Sequence, residues 1–248
     1  YVIAQASVAL DERGHFQLDD PIHRWIPEWR DMHVLEPDPD RGSRVVPAHR
    51  PPTVRDVMTH TSGIGYGPEN RDLDLTQRGF LAEQTLETLC AQIGGWPLRF
   101  QPGTRWLYSF GMDVCARLVE VMSGLRFDEY LRREIFEPLG MVDTGFSVPD
   151  DRLERFAACY GRNARKELVL VDDPERSAYR REPKLLNGGG GLVGTMPDYL
   201  RFVGMLANEG ELDGARILSR KTVELMTCNH LPGGADMAEV ALPMAYGE

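Results

Sequence analysis

The stretch that decides the fold is residues 102–123, which read PGTRWLYSFGMDVCARLVEVMS. It opens with a Pro-Gly turn. Apolar residues then recur at three- and four-residue spacing, at Met112, Cys115, Leu118, Val119 and Met122. This spacing places them on one face of an α-helix, and Gly124 suits the left-handed position just past a helix end. The pattern predicts a helix from about Ser109 to Ser123, with Tyr108 directly ahead of its first turn.

The flanking sequence predicts more helices and a few short strands. Capping patterns mark helix starts at Thr53, Thr195 and Ser219, and helices are also expected over residues 1–13, 75–93 and 127–136. One hairpin is expected from residues 32–36 and 44–49, and another around residues 162–165, because turn-rich loops separate short strand-like runs. The chain is therefore expected to contain more helix than strand.

Composition and charge exclude several classes of protein. The 248 residues are 42% apolar and 27% charged, which is ordinary for a folded domain. The net charge of -10 argues against nucleic-acid binding, because phosphate contacts need clustered Lys and Arg. No run approaches the ~20 apolar residues of a membrane span. The cysteines and histidines show no metal-ligand spacing, so the sequence predicts no metal and no other cofactor.

Two common site motifs are missing. Gly-x-Ser-x-Gly, the nucleophile elbow of many hydrolases, does not occur, and Ser62 lacks the flanking glycines. The four glycines at positions 188–191 lack the Lys-Ser/Thr of a phosphate-binding loop. A tight backbone passage that leaves no room for side chains is the simpler interpretation of that run.

Tyr108 is the side chain with the clearest chemical potential. The apolar residues Trp106 and Leu107 before it and the helix after it can hold its ring rigidly while the hydroxyl faces a cleft. A phenol with a pKa of ~10 acts as a base near neutral pH only if a nearby cation stabilises the phenolate. The alternative is a packing residue whose hydroxyl is hydrogen-bonded.

Several separated segments together resemble the β-lactamase and penicillin-binding-protein superfamily, and its carboxylesterase branch in particular. The segments are LDDP at 18–21, VMTHTSG at 57–63, PGTRWLYS at 102–109, FEPLGM at 136–141, and GGGLVGT at 189–195 followed by DYL at 198–200. Their order and spacing match the family across nearly the whole chain. The resemblance implies an α+β, β-lactamase/transpeptidase-like fold, here as a helix-rich part with short antiparallel strands.

Members of this family attack a carbonyl with the serine of a Ser-x-x-Lys motif, assisted by that lysine and by the tyrosine of a Tyr-x-Asn or Tyr-Ser-x motif. Tyr108-Ser109-Phe110 takes the place of the latter. Penicillin-recognising members commonly have asparagine at the position of Phe110. The phenylalanine found here favours an esterase. No serine in the chain has a lysine three residues later, and the C-terminal Lys-Thr-Gly-type strand is also missing. The resemblance therefore implies a fragment: one partial domain, residues 1–248, without most of the central sheet.

The resulting prediction is a serine hydrolase that cleaves small carboxylic esters through an acyl-enzyme in the full-length protein, with this chain alone inactive. Tyr108 is the catalytic candidate, and Tyr66 and Phe110 are expected to line the substrate pocket. A β-lactamase, D-amino peptidase or acyltransferase using the same apparatus is one alternative, and a non-catalytic ligand-binding homologue is another. The expected partner is a small ester or lactam, with no nucleic acid and no membrane span.

Overall fold

A computed structural model describes residues 9–40, 42–67 and 81–242. Helices form most of the regular structure in this part of the chain. The α-helices are α1 Val54–Met58, α2 Leu86–Gly94, α3 Gly111–Ser123, α4 Phe127–Leu131, α5 Glu137–Leu139, α6 Met196–Ala207, α7 Arg220–Met226 and α8 Met237–Val240. The strands are β1 His33–Asp38, β2 Gly42–Pro47, β3 Cys159–Arg162, β4 Leu168–Asp172, β5 Glu211–Leu212 and β6 Ala215–Arg216.

Helix α3 lies at the centre of the core and packs against α1, α2 and α4. Of its predicted apolar face, Cys115, Leu118 and Val119 are buried, while Met112 and Met122 are partly buried against the core. The helix ends at Gly124, whose φ of 70° is the left-handed conformation that favours glycine. Each enclosed aliphatic side chain contributes about 1.5–3 kcal/mol to folding, so this helix anchors the segment that carries Tyr108.

The strands form three separate two-stranded antiparallel hairpins, β1–β2, β3–β4 and β5–β6. The first pairs His33 with Pro47 at its open end and Asp38 with Gly42 at its turn. In the second, much of β4 is solvent-exposed, including Leu168 and Val171. Mixed helix and short antiparallel strand, with the helices forming the core, agrees with the predicted α+β, β-lactamase-like class.

Helix starts agree closely with the capping signals. The Thr53 side chain accepts from the Asp56 amide, and the Asp56 carboxylate accepts from the Thr53 amide in return, which forms a capping box. The Thr195 and Ser219 side chains cap α6 and α7 by accepting from the backbone amides of Asp198 and Thr222. The predicted helices at these positions are confirmed because local hydrogen bonds decide where they begin.

One helix differs from its prediction. Residues 127–136 were expected to be a single α-helix, but α4 ends at Leu131 and Arg132–Phe136 form a π-helical turn. Pro138 follows this turn; it has no amide hydrogen, and its ring would clash with the carbonyl four residues earlier. The wider turn, closed by a bond from the Glu137 amide to the Arg132 carbonyl, accommodates the proline.

Two other predicted helices are described only in part. Residues 9–12 are helical and are followed by Gly14 with φ of 76°, as the stop signal indicated, while residues 1–8 lie outside the described part. One or two helices are expected over residues 75–93; the structure describes residues 81 onward, where a short helical turn precedes α2. Residues 75–80 lie outside the described part.

Candidate active site

Tyr108 lies half-buried just before α3, and the backbone on its N-terminal side is held at two points. The Leu107 amide donates to the His60 carbonyl at 3.0 Å. Trp106 donates its amide to the Val240 carbonyl at 2.9 Å and accepts from the Leu242 amide at 2.9 Å. The segment leading into Tyr108 is therefore clamped between the end of α1 and the C-terminal part of the described chain.

Three rings surround the Tyr108 side chain. The centroid of His60 lies 4.7 Å from that of Tyr108, that of Tyr66 lies 5.9 Å away and that of Trp106 lies 6.4 Å away. Aromatic contacts at such distances fix ring orientation and contribute about 0.5–1.5 kcal/mol each. The Tyr108 hydroxyl makes no hydrogen bond with the described residues. The ring is thus oriented by packing rather than by a bond to its own oxygen.

His60 is a site residue that the sequence analysis did not single out. It follows α1 with a φ of 58°, which is uncommon for a side-chain-bearing residue, and its Nδ1 lies 3.1 Å from the Ser109 Oγ. The same hydroxyl accepts from the Gly111 amide at 3.2 Å, so it bridges the imidazole and the first turn of α3. A Cβ at Gly111 would lie 2.7 Å from the Val57 carbonyl oxygen, so only glycine permits this approach.

Burial decides the charge of His60. Removal from water lowers the pKa of its imidazole to about 4, because the charged form loses its hydration and gains no anionic partner. The ring beside Tyr108 is therefore neutral at physiological pH. It contributes shape and one hydrogen bond, and it does not supply the cation that a tyrosinate would need.

Tyr66 and Phe110 occupy different depths. Tyr66 is half-buried and contacts both Tyr108 and Phe110, the latter edge-to-face at 4.7 Å between centroids. Phe110, which the sequence analysis placed in the pocket wall, is only 1% exposed and also packs against Trp96. Its ring belongs to the core because it precedes the buried face of α3 directly. It backs Tyr66, and Tyr66 is the one of the two that borders Tyr108.

The loop before Tyr66 is rigid and closely packed. Ser62 is 1% exposed, so its hydroxyl is enclosed. Gly63 has a φ of 88°, and a Cβ there would lie 2.5 Å from the Phe100 carbonyl oxygen. The Gly63 carbonyl accepts from the Arg99 amide at 2.7 Å. This glycine lets the loop pass against residues 98–100 and so places Tyr66 over Tyr108.

The glycine run at 188–191 passes directly over the first turn of α3. A Cβ at Gly188 would lie 2.2 Å from the Met112 carbonyl oxygen, so the tight backbone passage expected from the sequence is present at this position, whereas Gly189 and Gly190 have room for a Cβ. The Gly188 amide donates to the Asp113 carboxylate at 2.8 Å. Burial raises the pKa of Asp113 to about 6, against the lowering effect of the Gly188 and Gly189 amides.

Within the described ranges, no three His, Cys, Asp or Glu side chains are grouped so that they could hold a metal ion. Across the same ranges, no helix has the length and apolar character needed to cross a membrane. Cys90 on α2 and Cys115 on α3 are buried, and Cys159 and Cys228 are exposed; no disulfide joins any of these four in the part of the chain that the structure describes.

Known proteins share this arrangement of segments. Residues 2–247 match the family described as Beta-lactamase. Protein Rv1367c of Mycobacterium tuberculosis is 34% identical over 235 residues, which cover 93% of this chain and 57% of that protein. Esterase EstB of Burkholderia gladioli is 30% identical over 233 residues, covering 85% of this chain and 56% of EstB.

Among solved structures, that of EstCE1, described as a hydrolase with promiscuous acyltransferase activity, aligns with a TM-score of 0.70 at 25% identity. The alignment covers 92% of this chain and 61% of EstCE1. The chain thus spans between half and two thirds of the length of these relatives. Because the family match runs through almost every residue and the fold agrees with it, the chain belongs to the Beta-lactamase family.

Proposed function

We propose that the full-length protein hydrolyses small carboxylic esters through an acyl-enzyme, and that Tyr108 moves a proton in that reaction. The observation that carries this proposal is the placement of Tyr108. Its backbone is clamped on the N-terminal side, its ring is set among His60, Tyr66 and Trp106, and its hydroxyl has no hydrogen bond to the described residues. A rigid phenol of this kind suits proton transfer, because catalysis by a general acid or base depends first on geometry.

The chemistry divides into two steps. In the first, a serine oxygen bonds to the ester carbonyl carbon, the serine proton passes to Tyr108 acting as base, and the alcohol leaves with a proton. In the second, water attacks the acyl carbon, the bond from that carbon to the serine oxygen breaks, and a proton from the water returns to the serine through Tyr108 as the acid is released. No serine in residues 1–248 has the Ser-x-x-Lys spacing of the family nucleophile, so the proposal places the nucleophile and its lysine elsewhere in the full-length protein.

Because His60 is neutral, the proposed lysine has to supply the positive charge beside Tyr108. A tyrosine acts as a base near pH 7 only when a cation lowers its pKa. His60 is the imidazole nearest Tyr108, and burial keeps it uncharged above a pKa of about 4. The proposal therefore assigns the cation to the lysine of the family motif and gives His60 the task of orienting Tyr108 and Ser109.

The acyl donor, an ester and not a lactam, distinguishes this proposal from the β-lactamase alternative. EstB is named an esterase, and EstCE1 is described as a hydrolase that also transfers acyl groups. Phe110 occupies the position where penicillin-recognising members commonly carry asparagine, and it is buried behind Tyr66. A buried apolar ring offers no amide to a lactam substrate, which supports ester over lactam recognition. Tyr66 is proposed to border the acyl or alcohol group.

The test compares substrates and variants of the full-length protein. We expect turnover of p-nitrophenyl butyrate and little turnover of nitrocefin. Tyr108→Phe removes only the hydroxyl and is expected to lower kcat by at least about a hundredfold. Tyr160→Phe is the matched control, since Tyr160 lies on β3 with 57% of its surface exposed, and it should leave kcat unchanged. Rapid nitrocefin turnover without ester cleavage, or full activity of Tyr108→Phe, would refute the proposal.

A further inference from the structure

We propose that Asp113 is a positioning residue for Tyr108, which it serves by tying the glycine strap, residues 188–191, to the first turn of α3. This inference rests on the proposed function. Asp113 lies five residues after Tyr108, inside the turn that begins α3. Its side chain is 2% exposed and does not itself reach the reacting atoms in the proposed reaction, so its effect passes through the backbone that it holds.

The hydrogen bonds between the strap and residue 113 require a carboxylate. The Asp113 oxygens accept from the Gly188 amide at 2.8 Å, and the Gly189 amide also stabilises the charged form. An ionised carboxylate only accepts hydrogen bonds, so it can receive two amide donors at once. An asparagine would turn an NH2 group toward one of those donors and lose that bond.

The strap approaches so closely because its residues lack side chains. This holds at Gly188, where a Cβ would lie 2.2 Å from the Met112 carbonyl oxygen. The Tyr179 hydroxyl donates to the Gly190 carbonyl at 3.4 Å, which holds the strap from its other side. The strap therefore contacts the backbone at Met112, four residues after Tyr108.

Two sets of buried hydrogen bonds thus lie on either side of the start of α3. On one side the Ser109 hydroxyl links His60 to the Gly111 amide, and on the other Asp113 holds the strap. The thiol of Cys90 on α2 faces the same turn, with its Sγ 3.9 Å from the Asp113 carbonyl oxygen, and burial raises the pKa of that thiol well above its ordinary value. The strap contributes no titratable group, so the Asp113 carboxylate is the charged side chain in this contact.

A charged group so well enclosed is costly to keep, which argues for a task beyond packing. Burial raises the pKa of Asp113 while amides on the strap lower it, and the outcome, about 6, leaves the side chain ionised at pH 7.5.

The experiment uses the full-length protein with Asp113→Asn and with Asp198→Asn as the matched control. Asp198 is likewise a buried aspartate in the first turn of a helix, α6, and it ties the amide of Asp143 at 2.7 Å, away from the Tyr108 segment. We expect Asp113→Asn to lower kcat for p-nitrophenyl butyrate about tenfold with KM within about twofold, because misplacement of a reacting group acts on the chemical step. Asp198→Asn should leave kcat within about twofold.

A second readout does not depend on activity. Amide hydrogen exchange of residues 186–191, measured at one pH, should show protection in the wild type and weaker protection in Asp113→Asn. Gly188→Ala disturbs the same contact from the side of the strap, and it should reproduce both effects if Asp113→Asn does not fold.

Unchanged protection and unchanged kcat in Asp113→Asn would overturn the inference, as would an equal loss of kcat in Asp198→Asn. If the wild type cleaves no ester, the proposed function fails, and the hydrogen exchange still decides whether Asp113 holds the strap.

Discussion

Replacing His60 by asparagine should remove a pH dependence of stability that the structure assigns to this one side chain. His60 has a φ of 58°, and asparagine tolerates that left-handed conformation better than most residues. The change therefore leaves the backbone unstrained and keeps a side chain able to hydrogen-bond Ser109, while it deletes a titratable group beside Tyr108.

The size of this pH dependence follows from the difference between the pKa of the His60 imidazole in the folded and in the unfolded protein. Burial lowers the pKa from 6.5 to about 4 on folding. The neutral form is favoured by the fold, so the contribution of His60 is complete above pH 6.5 and is lost as the pH falls toward 4. At about 1.4 kcal/mol per unit of pKa difference, the loss between pH 7 and pH 4.5 is about 2.5 kcal/mol.

The assay is urea unfolding of the full-length wild type and His60→Asn between pH 4.5 and pH 8, followed by tryptophan fluorescence. Groups shared by both proteins titrate equally and cancel when the two free energies of unfolding are subtracted. The free energy of unfolding of the wild type minus that of the variant should be smallest at pH 4.5 and larger by about 2.5 kcal/mol at pH 7.

A difference that stays constant within about 0.5 kcal/mol over this range would refute the reasoning. It would mean that the imidazole remains hydrated, or that it finds an anionic partner, in the folded protein. Neither is compatible with a neutral His60 packed 4.7 Å from the Tyr108 ring.

Four further outcomes are expected. Asp113→Asn should remove a pH dependence of the unfolding free energy opposite in sign to that of His60: burial raises the pKa of Asp113 from its ordinary 3.8 to about 6, so its contribution to stability is present below pH 4 and is lost as pH rises through 6. Urea unfolding of this variant and of the wild type measures it. Gly63→Ala should cost at least about 2 kcal/mol by the same method, because alanine disfavours a φ of 88° and its Cβ would collide with the Phe100 carbonyl. Thr53→Ala should cost about 1 kcal/mol through loss of the capping box of α1, again from urea unfolding. The 248-residue chain by itself should resist labelling by a fluorophosphonate probe, and labelling of any serine at the rate of an active hydrolase would contradict the assignment of the nucleophile to another part of the protein.

Local signals predicted most of the helical framework. The spacing from Met112 to Met122, the glycine at 124 and the capping residue Thr53 each act within a few residues of chain, so the sequence is sufficient to locate α1 and α3. The π-helical turn at Arg132–Phe136 was missed because it depends on how one proline is accommodated within a helix that continues past it.

The candidate site was predicted only at its centre. Tyr108 could be singled out because a turn, two apolar residues and a helix start surround it in sequence. Phe110 was expected in the pocket wall. Its burial behind Tyr66 results from the packing of α2 against α3, which the sequence does not show. The Thr-His-Thr-Ser-Gly motif after α1 was the available signal for His60, since a histidine between two short polar residues at a helix end is a candidate for a left-handed turn.

The sequence by itself thus determined most of the described helices and their caps, because these depend on neighbours a few residues apart, and it singled out Tyr108 as a candidate. Tertiary structure alone decided what surrounds that tyrosine. His60 reaches Ser109 across 49 positions and Asp113 reaches Gly188 across 75. Burial then sets the charge of both groups, and the cost of removing a charge from water is a property of the assembled core that no local pattern encodes.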